Sequence, residues 1–193
     1  HVRALLERME RASIPSDVRS YNTMIAACAK SGDAMLAAAW FRRMELLDLS
    51  PSLTSYNSLI DAFARCGSIQ EAAEVLRQME SALLQPDVIS YSGLITACSH
   101  AAKISQVMAW LEKMENAALQ PNVITYGSAL DCCLRLEAPV AGDAAESLLR
   151  RMLSSKLQPD RMLESKLLRI LGSDRLESLR EELGFRAQAG KAK

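Results

Sequence analysis

The chain has 193 residues, of which 49% are hydrophobic and 24% are charged, so it carries enough apolar side chains to bury a core and is not intrinsically disordered. Its 23 Lys and Arg residues balance 23 Asp and Glu residues. No overall charge therefore draws it to nucleic acid or to a membrane surface, and binding of nucleic acid would need a local arrangement of charge. No run of about 18 or more apolar residues occurs, so we expect no membrane-spanning helix.

The most regular feature of the sequence is a repeat of about 35 residues. Methionines recur in step along the chain, at Met9, Met44, Met79, Met114 and Met152, with gaps of 35, 35, 35 and 38 residues. Tyrosines and prolines keep the same interval, at Tyr21, Tyr56, Tyr91 and Tyr126 and at Pro51, Pro86, Pro121 and Pro159. A period of this size is typical of stacked helical hairpins, whose functional surface repeats from unit to unit. We divide the chain into four repeats, 18–52, 53–87, 88–122 and 123–160.

The first segment, residues 1–17, is predicted to be the second helix of a truncated preceding repeat. Val2, Leu5, Leu6 and Met9 have the spacing of one buried helical face. Because the sequence starts inside this pattern and not at a Met, we interpret the chain as a piece of a larger protein. A targeting peptide would then lie outside it.

Within each repeat the sequence predicts a first helix that begins at the third residue. That residue is a good helix N-cap in every repeat: Ser20, Ser55, Ser90 and Thr125. In the second repeat an apolar stripe follows at helical spacing, from Tyr56 to Phe63. Gly32 and Gly67 are expected to end the first helices of their repeats, since Gly adopts the left-handed conformation that closes many helices.

A second helix then completes each hairpin. It is predicted to open at Asp33 in the first repeat and at Ser68 in the second, where Ser68 and Glu71 have the spacing of a capping box. The Met stripe and the tryptophans of this helix, Trp40 and Trp110, are interpreted as packing residues because they share positions with Val and Leu of other repeats.

The end of the chain departs from the regular pattern. The fourth repeat has three additional residues around 137–142, which are expected to extend a loop between its helices. Residues 161–184 resemble a degenerate repeat that caps the stack, with a second helix predicted from Ser173 to Leu183. Residues 185–193 have no apolar pattern and are expected to be a disordered tail.

The five cysteines do not predict a disulfide framework or a zinc site. Three of them, Cys28, Cys98 and Cys133, occupy the repeat position at which the second repeat has Phe63, which indicates a buried core position. The number of cysteines is odd and no CxxC motif occurs.

The repeated segments VRSYNTMIAACAKSGD, LTSYNSLIDAFARCGS and VISYSGLITACSH, with the closing triplets SPS, QPD and QPN, resemble pentatricopeptide repeats. The similarity covers residues 18–160, with residues 1–17 as a half repeat and 161–184 as a weaker match. The Trp and Leu-Gly of the tetratricopeptide pattern, which has a period of 34, are not found. The resemblance implies an all-α, right-handed α-solenoid of helix-turn-helix hairpins. It also implies that single-stranded RNA binds the concave face formed by the first helices, one base per repeat, with its 5′ end at the N-terminal repeats.

In this family the fifth and last residues of a repeat select the base. The corresponding pairs are Asn22 with Ser52, Asn57 with Asp87, Ser92 with Asn122, and Gly127 with Asp160. In this order the resemblance implies a pyrimidine, uracil, adenine and guanine, and hence a preference for 5′-(C/U)-U-A-G-3′. Asn at the fifth position fills the space that a purine needs, whereas Ser or Gly leaves it open.

The resemblance implies two further sets of RNA contacts. The second residues of the repeats would sandwich the bases: Arg19, Thr54, Ile89 and Ile124. Arg19 departs from the apolar pattern, although a guanidinium plane can stack on a base. The basic residues at position 13 would approach the phosphates: Lys30, Arg65, His100 and Arg135. A structural alternative exists for these cations, because a positive charge near a helix C-terminus interacts favourably with the helix dipole.

Two other functions remain open from the residues alone. A protein-protein interaction scaffold of tetratricopeptide-like type would use the same concave surface for peptides. An enzyme is disfavoured, since the chain has only two histidines, no phosphate-binding loop and no zinc-ligand spacing. We therefore expect no catalysis, cofactor, metal or small-molecule substrate, and expect single-stranded RNA as the partner, with protein partners at flanking regions. By resemblance alone, the expected role is organellar RNA processing or expression, in the mitochondrion or chloroplast.

Overall fold

The computed structural model describes residues 17–185, and these residues form helices and loops without a strand. The helices are α1 (Val18–Ser31), α2 (Ala34–Leu46), α3 (Leu53–Arg65), α4 (Ile69–Ser81), α5 (Val88–His100), α6 (Ile104–Asn116), α7 (Val123–Cys133), α8 (Val140–Ser154), α9 (Arg161–Leu171) and α10 (Ser173–Leu183). The first residues of α1, α3, α5 and α7 are each 35 positions apart. The predicted half repeat in 1–16 and the tail from 186 onward lie outside the described residues.

The chain divides into two compact units, with the boundary inside α5 between Ala97 and Cys98. In the first unit α1 packs against both α2 and α3, and α3 packs against α4. In the second unit α7 packs against α8, and α9 contacts α7, α8 and α10. Each unit is therefore a set of adjacent helical hairpins, the packing expected for an all-α solenoid.

Each unit buries the residues that the repeat pattern predicts to be apolar. The fully buried large side chains are Tyr21, Ile25, Met44, Ile60, Met79, Leu94 and Ile95 in the first unit, and Leu111, Met114, Tyr126 and Leu148 in the second. The four in-phase tyrosines, and the in-phase methionines from Met44 onward, are thus core residues. Because burial of a large apolar side chain contributes about 1.5–3 kcal/mol, this core explains why the interval is conserved from repeat to repeat within the chain.

The first helices begin with a different cap from the one predicted. The side chain of the preceding residue accepts the capping hydrogen bond: Asp17 from the N–H of Ser20 (2.8 Å), Ser52 from Ser55 (3.4 Å), Asn122 from Thr125 (2.9 Å) and Asp160 from Leu163 (2.8 Å). The predicted caps stand three residues later. Ser55 and Thr125 instead complete capping boxes, since their hydroxyls accept from the backbone N–H of Ser52 and Asn122. The prediction was wrong because Ser, Thr, Asp and Asn are favoured at the cap, and both positions offer them.

Of the other predicted helix ends, those at Gly32 and Asp33 are confirmed, and the capping box at Ser68 is wrong. Asp33 caps α2 by accepting from the N–H of Leu36 at 2.9 Å, and Gly32 closes α1 with φ of 75°. Ser68 precedes α4, but its side chain makes no capping bond, so the predicted capping box with Glu71 is wrong. Glu71 still lies in the first turn, where a negative charge interacts favourably with the helix dipole.

The end of the described chain follows the sequence prediction. Six residues, 134–139, separate α7 from α8, whereas two or three separate the helices of the preceding hairpins. The additional residues therefore lengthen this loop. α10 has the predicted bounds, and Gly184 closes it with φ of 66°.

The two tryptophans differ in burial. Trp40 is 9% exposed and makes an edge contact with Tyr21, with ring centroids 6.2 Å apart. Trp110 is only partly buried, and the ammonium of Lys113 lies 4.2 Å from its ring centroid, so the packing interpretation holds for it only in part.

The three cysteines of the predicted core position are buried thiols. Burial raises the pKa of the Cys98 thiol to about 11 and that of Cys133 to about 12, because the low-dielectric interior disfavours the thiolate. Cys66, by contrast, is exposed. None of the described helices combines the length and apolar character required to cross a bilayer.

Candidate nucleic-acid interface

A groove on the surface of α1 and α3 brings several of the predicted RNA-binding residues together. It has a volume of about 840 Å³, and its walls include Arg19, Asn22 and Lys30 of α1 and Thr54 of α3. One predicted base-reading residue, two predicted sandwich residues and one predicted phosphate ligand thus share one cavity in the first unit. The arrangement follows from the helical positions 2, 5 and 13 of a repeat, which the structure places along one side of the first helix.

The predicted reading pair of the second repeat is in direct contact. Asn57 Nδ2 donates to Asp87 Oδ1 at 3.1 Å, although the two residues are 30 positions apart. The hydroxyl of Ser90, a fully buried side chain, donates to Asn57 Oδ1 at 2.6 Å. Both ends of the Asn57 amide are therefore held, which fixes the orientation of its N–H₂ group toward Asp87. Asn57 and Asp87 themselves are only half-buried.

The same oxygen of Asp87 also organises the start of α5. Asp87 Oδ1 accepts from the backbone N–H groups of Ile89 at 3.0 Å and Ser90 at 2.9 Å. The Asp87 N–H in turn donates to the Ser90 hydroxyl oxygen at 3.1 Å. The last residue of the repeat thus supports the following helix and positions the side chain of Asn57.

The reading pair of the first repeat is also in contact, but less closely. Asn22 Nδ2 donates to Ser52 Oγ at 3.3 Å, and Ser52 Oγ lies 3.1 Å from the hydroxyl of Ser55. The Asn22 carbonyl oxygen is buried and has no hydrogen-bond partner among the residues that the structure describes. This amide therefore lacks the second restraint that Ser90 gives to Asn57.

The remaining two pairs differ from the first two. Ser92 is a half-buried residue of α5 in the first unit, whereas Asn122 is exposed and caps α7 in the second unit. In the fourth repeat, Asp160 caps α9, and the Gly127 carbonyl accepts a hydrogen bond from Lys166 Nζ at 3.0 Å. No side chain of residue 127 is available to contact Asp160.

The predicted sandwich positions are all exposed. Ile89 and Ile124 are 64% and 75% exposed, so their apolar side chains are open to contact by a ligand. Met162, the second residue of the degenerate unit, is 67% exposed at the corresponding place on α9. Met162 was not predicted from the sequence, although its register after Asp160 indicates the same repeat position.

The predicted phosphate ligands are exposed as well, but their surroundings differ. Lys30, Arg65 and His100 lie in the last turns of their helices, whereas Arg135 lies beyond the end of α7. Arg65 Nε donates to Asp61 Oδ2 at 2.9 Å. Lys30 has no acidic partner within salt-bridge distance among residues 17–185. The helix-dipole alternative therefore applies to three of these basic residues and not to Arg135, since only those three lie in the last turn of a helix.

This chain is similar to known proteins at the level of family and of fold. A family model described as the pentacotripeptide-repeat region of PRORP matches residues 1–128. No curated protein matches the sequence.

Several solved structures share the fold. PPR10 in complex with an 18-nt psaJ RNA element has a TM-score of 0.79 and 24% identity, over 93% of this chain and 26% of that chain. The PPR domain of Arabidopsis thaliana protein-only RNase P 1 in complex with tRNA has a TM-score of 0.62 and 17% identity, over 99% and 94% of the two chains. Nuclear proteinaceous RNase P 2 from A. thaliana has a TM-score of 0.65 and 16% identity, over 86% and 39%. At these identities the similarity shows the fold alone, and this chain spans about a quarter of PPR10. Since the family model covers 128 of the 193 residues, the chain belongs to the pentatricopeptide repeat family.

Proposed function

We propose that this chain binds single-stranded RNA on the surface of its first helices, one base per repeat, with the 5′ end at the N-terminal repeats. The observation that carries the proposal is the contact between Asn57 and Asp87, whose half-buried side chains meet at 3.1 Å. The similar PPR10 and RNase P 1 structures are complexes with an RNA element and with tRNA, respectively, which supports RNA as the ligand class.

The chemistry of this pair fits uracil. Asn57 uses one of its two N–H donors on Asp87, so the second can donate to a uracil carbonyl. Asp87 Oδ1 is occupied by capping bonds, and its other oxygen can accept from uracil N3–H. Two polar groups that meet one base edge discriminate by about 1–3 kcal/mol. Together with the other pairs, this gives the proposed preference 5′-(C/U)-U-A-G-3′.

The exposed residues around the pairs supply the remaining contacts. We propose that Ile89 and Ile124 pack against the faces of bases and that the Arg19 guanidinium stacks on one. Lys30, Arg65, His100 and Arg135 would each approach the phosphate of one nucleotide. In this scheme the exposure of two isoleucines has a function, since stacking replaces water on their surface when RNA binds.

The last residue of each repeat also caps a helix, which is a second explanation for the residue type at that position. Ser, Asp and Asn are the preferred N-caps, so their presence at this position would also suit a scaffold for peptides. Residue type at the last position therefore does not separate the two functions. The contact from the fifth residue does favour RNA, because helix capping does not require Asn57 or Asn22.

We further propose that this segment binds RNA without catalysing a reaction on it, and that the parent protein acts in RNA processing or expression in a mitochondrion or chloroplast. The residues assigned here stack, donate hydrogen bonds or neutralise phosphate. RNase P 1 and 2, by their names, are enzymes. Any activity of the parent protein would therefore depend on residues beyond those assigned here.

The test is selection from randomised single-stranded RNA against the 193-residue chain, at low and high salt. We expect enrichment of 5′-(C/U)UAG-3′ and an affinity that falls as salt rises, since phosphate contacts release counterions. Asn57→Ala should abolish the preference at the second base, whereas the matched change Asn116→Ala, on an exposed face of α6, should not. Binding without sequence enrichment would contradict the proposed base reading, and no binding would contradict RNA as the ligand.

A further inference from the structure

The fourth repeat contains a cavity that the fifth-and-last scheme does not explain. It has a volume of about 210 Å³ and lies between α7 and α9 in the second unit. Its walls include Ile124 and Gly127, which are the predicted sandwich and reading residues, together with Asp131, Asp160 and Lys166. Gly127 has no side chain, so the polar groups of this cavity come from other positions.

Lys166 crosses from the degenerate unit to the reading position of the fourth repeat. Its ammonium donates to the Gly127 carbonyl at 3.0 Å and forms an ion pair with Asp131 Oδ1 at 2.7 Å. The Lys166 side chain is only 17% exposed, whereas that of Asp131 is 42% exposed. A Cβ atom at residue 127 would lie 3.9 Å from this ammonium, so the cation occupies the space that a longer reading side chain would need.

The polar groups of the cavity match guanine better than the other three bases. An ammonium has three N–H donors, and the two contacts above use two of them. The carboxylates of Asp131 and Asp160 add acceptors beyond those used by Lys166 and by the Leu163 N–H. Guanine presents an acceptor, O6, beside two donors, N1–H and N2–H₂, and Lys is a common ligand of guanine O6 and N7. Each of the other three bases presents only one donor group on its Watson–Crick edge, so guanine alone can use the free ammonium donor together with both carboxylates.

We infer that Lys166, and not Gly127, is the residue that selects guanine at the fourth repeat, with Asp160 accepting from the Watson–Crick edge of the base. This inference rests on the proposed function, because it assumes that RNA bases reach the surface of the first helices. It adds a reading residue in a unit that lacks the repeat consensus.

The experiment measures the affinity of the 193-residue chain for four short unstructured RNAs, 5′-UUAN-3′ with N as each base, in a common flank. Lys166→Met keeps the aliphatic stem and removes the donor. We expect it to lower the preference for guanine over adenine at the fourth base by roughly tenfold. The preference for uracil at the second base should not change, since that pair lies in the first unit.

Two controls separate base reading from charge and folding. Lys156→Met removes one exposed positive charge from the turn that follows α8 and should leave the fourth-base preference intact. Helical circular dichroism and thermal unfolding of Lys166→Met test the fold directly. Retention of the wild-type guanine preference in folded Lys166→Met would overturn the inference while leaving the proposed function in place. Absence of RNA binding by the wild-type chain would overturn both.

Discussion

Asp87 Oδ1 accepts a hydrogen bond from the Asn57 amide at 3.1 Å, and the same carboxylate oxygen caps helix α5. One residue therefore serves the stability of a repeat and, in the proposed function, the choice of a base. The same coupling applies to Ser52, which contacts Asn22 and caps α3. In this protein a mutation at the last position of a repeat should be interpreted only with a measurement of folding beside it.

Substitutions of Asp87 can separate these two roles. Asp87→Ala removes the acceptor for the Ser90 N–H and is expected to lower the free energy of unfolding by about 1 kcal/mol. Asp87→Asn retains a capping oxygen and should change that free energy by only a few tenths of a kcal/mol. Asn also offers an N–H donor to cytosine N3, so discrimination of uracil from cytosine should decrease. Urea unfolding and RNA titration measure the two effects, and equal destabilisation by both variants would contradict the capping role.

The third repeat allows the proposed base reading to be changed without loss of a cap. Replacing Ser92 by Asn and Asn122 by Asp reproduces the pair of the second repeat, and both Asn and Asp are good N-caps. The third base should change from adenine to uracil, because the longer Asn fills the space that a purine needs. Binding to CUAG and CUUG RNAs measures the change, with Asn116→Asp on α6 as a charge control. An unaltered preference for adenine in the folded double variant would contradict the proposal.

The sequence predicted the repeat better than it predicted contacts between side chains. The intervals of Met44 and Met79, and the end of α1 at Gly32, depend on local periodicity and on backbone conformation, which the sequence displays directly. The caps were assigned three residues too late because Ser52 and Ser55 are equally good candidates, and only the hydrogen bonds distinguish them. Lys166 could not be found from a consensus, since its unit has lost the consensus and its contact with Gly127 spans 39 positions.

Lys30, at position 13 of the first repeat, is expected to contribute one phosphate contact to RNA binding. Lys30→Ala should lower the slope of log affinity against log salt by about 0.7 and weaken all sequences about equally, because it removes one phosphate contact on a single strand. Lys156→Ala, in the turn that follows α8, provides the charge-matched control. RNA titration at several salt concentrations measures the slope. An equal change in slope for the two variants would indicate a general charge effect and not a phosphate contact.

Asp61 competes with phosphate for Arg65. The two side chains are each 47% exposed and bonded at 2.9 Å, so RNA must share or replace this pair. Asp61→Asn removes the competing charge and is expected to tighten RNA binding a fewfold at low salt, as surface pairs contribute up to about 1 kcal/mol. The double variant Asp61→Asn/Arg65→Gln should lose that gain. A retained gain would show that Arg65 is not responsible. Because the double variant has the wild-type net charge, Glu181→Gln on α10 is the control for overall charge, and it should give no gain.

Acid should weaken the second unit through Glu146. Hydrogen bonds from Arg175 and Arg150 hold the pKa of this carboxyl below its usual value. A lowered native pKa means that the unfolded chain binds the proton more readily, so this stabilisation is present above the unfolded pKa and is lost as pH falls through the native one. Glu146→Gln should therefore lower the melting temperature at pH 7 and reduce its fall between pH 7 and pH 3.

The expected contribution of Glu146 is up to about 1 kcal/mol, since its arginine partners are 40% and 42% exposed to solvent. Thermal unfolding followed by circular dichroism at the two pH values measures it. The matched variant Glu181→Gln changes an exposed residue of α10 and should preserve the pH dependence of the wild type. Identical pH profiles for Glu146→Gln and the wild type would show that the Arg175 and Arg150 contacts do not contribute to acid sensitivity.

Leu83 is an unfavourable residue for the conformation that ends α4. Its φ is 59°, and its N–H donates to the Glu80 carbonyl while the next N–H donates to Met79. The left-handed conformation costs a residue with a Cβ atom about 1–2 kcal/mol, whereas Gly adopts it readily. Leu83→Gly should therefore raise the free energy of unfolding by about 0.5–1 kcal/mol, after the larger entropy of Gly in the unfolded chain is subtracted. The side chain is 88% exposed, so its loss removes little packing.

Leu83→Ala is the matched control, because it removes the same exposed side chain and keeps the Cβ atom. An equal gain from both variants in urea unfolding would assign the effect to the exposed apolar surface and not to backbone strain.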